Sequence, residues 1–437
     1  MLVLGFATVI FFGTALLRLP AAVVEGPPLS LVDALFTATS AVCVTGLVVV
    51  DTATTFSTFG ELVIMVLIQI GGLGIMSMST FIALLLGRRI SFRERLLLRE
   101  SLGITGLAGI VRLLRYVLLV TFIAESLGAL LLFLLFLDRY PPGQALYLGV
   151  FHSISAFNNA GFDLFSTSLT GFTEHLGVNL VVMTLIIVGG LGFPVIVELF
   201  HWLRARRNGK RFPLSLHTKL TLTVTGVLIL LGSLLIFLVE ADNPATLGQL
   251  SPRGKLLGAL FTAITPRTAG FSTLPTENLR SLTLFSLLFF MWVGGSPSST
   301  AGGIKTTTLG TLVAALWGII SGKEEAQVFR RRLTRDIVDR SWTLAMISVL
   351  IIMVGTGLLL FTEGQQLLET LFEVTSAFGT VGLSTGLTPA LTTAGRVVII
   401  ITMFIGRVGP LTFAAAVAQR QRHKLRVRHP EERIMVG

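Results

Sequence analysis

The sequence predicts an all-α membrane protein, and three observations predict it. Hydrophobic residues make up 52% of the 437 and charged residues only 13%, with a mean hydropathy of +0.83. That balance leaves too little polar surface to cover a core in water. Crossing a hydrocarbon layer takes about 20 apolar residues, and Tyr116 to Leu137, Leu220 to Val239 and Trp342 to Phe361 reach that length. One segment pattern also returns four times at intervals of about 110 residues.

The repeats run Ala34–Leu47, Val150–Phe162, Leu260–Phe271 and Leu371–Leu383. Each sets a Phe (Phe36, Phe151, Phe261, Phe372) nine or ten residues before a Gly (Gly46, Gly161, Gly270, Gly382). The stretch leading to each Gly, such as Ser30 to Ala41, is about three helical turns, too short to span a bilayer. It lies between two longer apolar segments. A short helix ending in irregular backbone at membrane depth is tolerated only where it is buried in protein or lines a water-filled path. Each repeat therefore reads as outer helix, pore half-helix, extended loop, inner helix. Four give eight transmembrane helices around a central pore, with repeats at 1–100, 101–212, 213–333 and 334–437. The apolar start, Met1 to Leu17, is read as the first span: it lacks the basic leading region and small-residue cleavage site of a signal peptide.

The net charge of +11 suggests nucleic acid until its distribution is read. Arg88, Arg89, Arg93, Arg95, Arg99, Arg112 and Arg115 fall in one loop region, and Arg204, Arg206, Arg207, Lys210, Arg211 and Lys219 in a second. Lys323, Arg330, Arg331, Arg332, Arg335 and Arg340 fall in a third, and Arg420 to Arg433 in the tail. Loops of that kind face the cytoplasm, and the alternation of spans brings the chain back there after each repeat. Membrane orientation accounts for the charge without nucleic acid and puts both termini in the cytoplasm. Cys43 is the single cysteine, which excludes an internal disulfide or a multi-cysteine zinc site.

The loops carry the chemistry. A cation filter replaces hydration water with rings of backbone carbonyls, and Gly supplies the conformations that turn carbonyls inward. Val44, Thr45 and Gly46, Asn159, Ala160 and Gly161, Thr268, Ala269 and Gly270, and Thr380, Val381 and Gly382 would line it through their main chain. A second recurrent mark follows each filter: the glycine-rich runs starting at Gly71, Gly189, Gly294 and Gly406. Small residues there let helices approach or bend. A shared role where inner helices converge under the filter is weighed against ordinary helix packing.

The most specific motifs are Thr39 to Leu47, Thr265 to Phe271, Gly294 to Lys305 and Gly406 to Pro410. Together the repeats resemble the Trk/Ktr/HKT family of potassium transporters over nearly the whole chain, and eight spans without a leading pair look like its bacterial KtrB branch. The resemblance implies potassium uptake across a bacterial plasma membrane, by the translocating subunit of a Ktr-type system. It implies a homodimer seated on a cytoplasmic nucleotide-binding ring, any nucleotide belonging to that partner. In the HKT branch a Ser at the first filter position goes with sodium preference, so Gly46 implies potassium. Sodium coupling, or a TrkH- or HKT-like sodium/potassium transporter, stays as the alternative.

Gly294 to Gly303 interrupts the third inner helix with residues that propagate helix poorly, so an irregular loop is expected below the filter, followed by Lys305. The family has an intramembrane gating loop there, which assigns gating to Gly294, Gly295, Ser296, Gly302, Gly303 and Lys305. Arg407, in the middle of the fourth inner helix, costs several kcal/mol unless paired or facing water; it is expected to hold the gating loop through carbonyls. Arg267 and Glu373, in adjacent pore segments, are expected to pair behind the filter. Asn158 and Asn159 are expected to brace the loop. Asp163 is either a cation-concentrating charge or an ordinary loop acid. Cys43 and His152 read as packing residues, and Glu125 as an intramembrane acid of unassigned partner. The basic loops, including the amphipathic Ser91 to Gly103, suit anionic lipid heads or a soluble regulator.

Two other classes fit worse. An intramembrane enzyme needs a nucleophile with its base, or metal ligands, at membrane depth, and neither HExxH nor GxSxG occurs. Alternating-access carriers carry inverted repeats, whereas these repeats run in parallel.

Overall fold

The structure, a computed structural model, describes residues 2–24, 26–74, 110–322 and 325–409. The first basic cluster up to Arg99, the Ser91 to Gly103 stretch, Lys323 and the basic tail lie outside those residues. The regular secondary structure of the described residues is almost wholly helical. α1 (Leu2–Leu17), α2 (Leu31–Cys43) and α3 (Thr58–Leu73) come first, then α4 (Ile110–Phe136), α5 (Pro142–Phe157), α6 (Leu176–Leu191) and α7 (Phe193–Arg207). α8 (Leu216–Glu240), α9 (Pro252–Ile264), α10 (Ser281–Trp292) and α11 (Thr306–Ile320) follow, and α12 (Arg335–Glu363), α13 (Leu367–Gly379) and α14 (Thr393–Val408) close the order. The all-α expectation needs one small correction. β1 (Gln327–Val328) and β2 (Arg331–Arg332) pair as an antiparallel hairpin in the third basic loop, turned by Phe329 and Arg330 at positive φ.

Among the described residues, α4 from Leu114, α8 and α12 are by themselves long and apolar enough to cross a membrane. α6 and α7 qualify as a pair bent by 103° at Gly192. α2, α5, α9 and α13 have 13, 16, 13 and 13 residues, about 20–24 Å at 1.5 Å per residue, short of the bilayer core as expected. Their starts are encoded locally: Ser30 and Ser251 cap α2 and α9 through the backbone N–H of Asp33 and Gly254, and Pro142 and Pro252 open α5 and α9.

Each short helix is wedged among two or three others. α2 packs on α1, α3 and α14, α5 on α4, α6 and α3, α9 on α8 and α6, and α13 on α12, α14 and α10. Each therefore touches a helix of the preceding repeat, and the last repeat closes onto the first. Arg396 of α14 clamps that closure by pairing with Asp33 in the first turn of α2. One Phe per short helix (Phe36, Phe151, Phe261, Phe372) is buried in these packing layers, which explains the recurrent aromatic.

The second inner helix is also broken, and the first and fourth end at a glycine where the described residues stop. α3, α6 and α14 also stop, at Leu73, Leu191 and Val408, each before a Gly with φ of +81°, +89° and +92°. A left-handed residue ends a helix because it turns the next N–H off the axis.

Candidate functional site

The four glycines of the repeats meet. A Cβ on Gly46 would lie 2.5 Å from the Ala160 carbonyl oxygen and 3.0 Å from Gly161 Cα. One on Gly161 would lie 2.9 Å from the Ala269 oxygen and 2.9 Å from Gly270 Cα. One on Gly270 would meet the Val381 oxygen at 2.6 Å, and one on Gly382 would strike the Thr45 oxygen, 3.1 Å from Gly46 Cα. The contacts run in chain order and return to the start, so the glycines form a closed ring into which four carbonyls are directed. No side chain fits at any of the four.

Backbone handedness builds this ring. Gly46, Gly161, Gly270 and Gly382 have φ of +89°, +71°, +74° and +93°. The residues two before them, Val44, Asn159, Thr268 and Thr380, also have positive φ, at +57°, +59°, +71° and +50°. Thr45, Ala160, Ala269 and Val381 between them do not. Backbone that alternates hand turns successive carbonyls to the same side. Three of the four left-handed non-glycines are β-branched, for which this region is an outlier, so the surroundings must hold the strain. They do so with one repeated bond: the N–H of Thr45, Ala160, Ala269 and Val381 donates to the carbonyl of Ser40, Ser155, Thr265 and Ser376 at 2.8–2.9 Å. The hydroxyls of those same residues work behind the loop. Ser40 and Ser376 accept from the N–H of Gly46 and Gly382 at 3.1 Å, while Ser155 and Thr265 donate to the carbonyls of Phe162 and Phe271. The four short helices end at this ring, and a helix C-terminus carries partial negative charge. The arrangement suits a bare cation and opposes an anion.

The comparisons with known proteins agree. Residues 6–424 match the TrkH family, described as cation transport protein. The chain belongs to that family. It is 42% identical over 436 residues to "Ktr system potassium uptake protein B" of Bacillus subtilis, covering 100% of this chain and 96% of that one. It is 38% identical to "Potassium/sodium uptake protein NtpJ" of Enterococcus hirae, over 99% and 96% of the two chains. The crystal structure of the potassium transporter TrkH from Vibrio parahaemolyticus shares the fold, with a TM-score of 0.73 at 21% identity, over 94% of this chain and 84% of that one. The chain is thus a multi-pass membrane transporter of the TrkH family, not an enzyme.

Below the ring of this TrkH-family chain lies the loop from Val293 to Lys305, between α10 and α11. It bonds to the second repeat, packs on the fourth, and is joined to the first only through Arg407. Ser296 N–H donates to the Gly190 carbonyl at 2.9 Å and Thr300 N–H to Gly189 at 3.2 Å, both on α6, while the Thr300 hydroxyl donates to Phe157 at 3.2 Å. Gly302 packs against the Thr380 hydroxyl and lies 3.2 Å, measured from a built Cβ, from the Gly379 oxygen. Its foot is tied by Thr306 N–H to Gly295 at 3.0 Å and by Thr306 to Ser296 through their hydroxyls. Lys305 Nζ folds back to the carbonyls of Ala301 at 2.7 Å and Gly302 at 3.3 Å. Arg407 supplies the longest bridge, with Nη1 donating to Thr300 O and Nη2 to Gly71 O, both at 2.5 Å. One guanidinium of the fourth repeat therefore joins the third repeat's loop to the first repeat's inner helix.

The recurrent inner-helix glycines have a matching purpose. Gly71, Gly189 and Gly406 lie against the carbonyls of Val42, Phe157 and Phe378, each four residues before a ring glycine, closer than any Cβ would allow. Gly294 instead packs on Gly302 of its own loop.

One expected pair does not form. Arg267 donates from Nη2 to the Thr225 hydroxyl on α8 at 3.2 Å, and its other two side-chain nitrogens have no partner among the described residues. Glu373 instead accepts from the Ser384 hydroxyl at 2.5 Å, Thr385 N–H at 3.0 Å and the Thr388 hydroxyl at 2.6 Å, stapling its own outgoing loop. Partners 11 to 15 residues away were nearer than an arginine on the neighbouring repeat. Asn159 braces across repeats, its Nδ2 donating to Arg267 O at 3.2 Å. Asp163 turns back to Phe165 N–H at 3.0 Å. Buried His152 stacks on Phe165 with centroids 4.4 Å apart and accepts from Leu164 N–H, and Cys43 is wholly buried. Glu125 has partners after all, Gln69 and Asn158. The residues that sequence reasoning passed over are Ser40, Ser155, Thr265 and Ser376. The signal was present: a hydroxyl stands five or six residues before the ring glycine in all four repeats.

Proposed function

We propose that this chain takes up potassium across a bacterial plasma membrane, as the channel-like pore subunit of a Ktr-type system. The observation that carries it is the closed ring of Gly46, Gly161, Gly270 and Gly382 with carbonyls directed into it. In this reading the residues 44–46, 159–161, 268–270 and 380–382 form a filter whose main-chain oxygens replace water around the ion. The four repeats, 1–100, 101–212, 213–333 and 334–437, each contribute outer helix, half-helix, filter and inner helix, giving eight spans. Basic loops on one side put both termini in the cytoplasm.

The loop with Gly294, Gly295, Ser296, Gly302, Gly303 and Lys305 is the gate, held by Arg407. Its backbone passes beneath the ring, touches the second and fourth repeats and is tied to the first through Arg407, so an ion leaving the filter meets it. The relatives' names support the cargo, and the name Ktr system supports partner subunits; in this reading the partners are a second copy and a cytoplasmic ring that binds the nucleotide. The Enterococcus relative is named for potassium and sodium, which favours sodium as a second cargo or coupling ion.

The test is growth of a potassium-uptake-deficient bacterium at low potassium, with and without sodium. Rescue by this chain with its cognate ring subunit supports the reading. No rescue with both proteins present in the membrane opposes it, and rescue confined to sodium-containing medium assigns the sodium coupling.

A further inference from the structure

We infer that Glu125, on an outer helix and outside the filter, is a positioning residue for the second filter strand and tunes which ions it accepts. The inference rests on the pore reading above. Glu125 stands in the middle of α4, where an acid is costly unless it meets polar partners. It has no cationic partner among the described residues. It faces two neutral amides from two other helices. Asn158 Nδ2 donates to one carboxylate oxygen at 2.9 Å, and Gln69 Nε2, from α3, donates to the other at 3.2 Å. Asn158 Nδ2 also lies 3.0 Å from Gln69 Oε1, closing the triangle, and the Glu125 backbone carbonyl accepts from Ser153 of α5 at 2.7 Å.

Asn158 makes this network more than helix packing. It is wholly buried, it is the residue after the last of α5, and it directly precedes Asn159 with φ of +59°. Fixing its side chain fixes the peptide from which the left-handed turn toward Gly161 departs. Gly72 of α3 leaves room for the amide, since a Cβ there would overlap Asn158 Oδ1. The equivalent positions in the other repeats, three before the ring glycine, hold Cys43, Arg267 and Gly379. None of those meets an acid in the structure, so among the described residues the second repeat alone has a carboxylate bound at this position. A cleft of about 530 Å3 lined by Gln69, Arg115, Thr121 and Glu125 reaches the carboxylate from the side of the protein.

Glu125 touches no filter atom, so its effect must pass through Asn158. A carboxylate holding two amides does that better than an amide or an alkyl group, because hydrogen bonds to a charged acceptor are the stronger ones. The test is rubidium and potassium uptake by Glu125→Ala, Asn158→Ala and the double variant, in vesicles containing the assembled transporter, with sodium as competitor. Each single variant is expected to raise the KM for potassium, or lower its preference over sodium, by about fivefold, with the double variant no worse than either single one. Glu125→Gln keeps one acceptor and is expected to restore part of the loss; it also serves if Glu125→Ala does not assemble. Unchanged KM and selectivity in assembled Glu125→Gln and Glu125→Ala would overturn the inference, as would additive effects of Glu125 and Asn158. A wild-type chain that carries no potassium would instead overturn the pore reading itself.

Discussion

Removing the Arg407 guanidinium gives the most searching perturbation of the proposed gate. Its two nitrogens each hold a carbonyl at 2.5 Å, one on the loop at Thr300 and one on α3 at Gly71. A hydrogen bond from a charged donor contributes about 1.5–3 kcal/mol net, so the pair contributes about 3–6 kcal/mol to the loop's position beneath the ring. The bonds from Ser296 and Thr300 N–H to α6 survive the substitution, so the smaller figure is the safer one. A loss of about 3 kcal/mol shifts a closed-to-open equilibrium by a factor of about 150. The variant also removes a positive charge from the ion's route, which lowers the barrier further. Arg407→Ala should therefore raise rubidium uptake into vesicles by at least tenfold, a bound set by saturation once the gate stands open. Arg407→Lys separates the two contributions, since it keeps the charge but offers a point donor that cannot span both carbonyls; intermediate flux is expected. Equal or reduced flux in an assembled Arg407→Ala protein would refute the tether.

Three further outcomes follow from the same geometry. Deleting part of Ser296 to Ala301 should raise flux, measured by the same uptake assay, because the loop's bonds with Gly189, Gly190 and Arg407 leave with it. Gly46→Ser places a Cβ 2.5 Å from the Ala160 oxygen in a left-handed backbone costing about 1–2 kcal/mol; potassium uptake should fall at least tenfold and the sodium-to-potassium ratio rise, read by competition. Glu240 holds Thr283, Thr246, Asn243 and the N–H of Arg280 at 2.5–2.9 Å, fastening the start of α10 to the end of α8. Glu240→Ala should cost about 2–4 kcal/mol by leaving those groups unpaired, seen as a lower melting midpoint in detergent.

The parts of the fold written in local sequence were legible. The repeated Phe and Gly, the caps at Ser30 and Ser251 and the helix-poor run from Gly294 are patterns within a few residues, and each describes what forms. Arg407 was also readable, because a guanidinium in an apolar run must find acceptors and carbonyls were the ones at hand. The left-handed backbone of Val44, Thr268 and Thr380 was not. Nothing intrinsic to Val or Thr favours it; it arises from the bond back to Ser40, Thr265 or Ser376 and from the neighbouring strands of the ring. Helix rotation was equally hidden. Whether Glu373 faced Arg267 or its own outgoing loop depends on how α13 is turned, and the nearer hydroxyls of Ser384 and Thr388 won. Glu125 found partners 56 and 33 residues away, on elements whose approach no local pattern describes. The bend at Gly192 and the helix ends at Gly74 and Gly409 were half legible: the glycine runs marked a place where helices approach or bend, and the second repeat uses its run for both.

The account stands on ions passing through the ring of glycines. Anomalous diffraction from crystals grown in rubidium measures that directly. Peaks on the axis, within coordinating distance of the carbonyls of Thr45, Ala160, Ala269 and Val381, are the predicted result. Rubidium bound elsewhere in the protein, with the ring empty at saturating concentration, would contradict it.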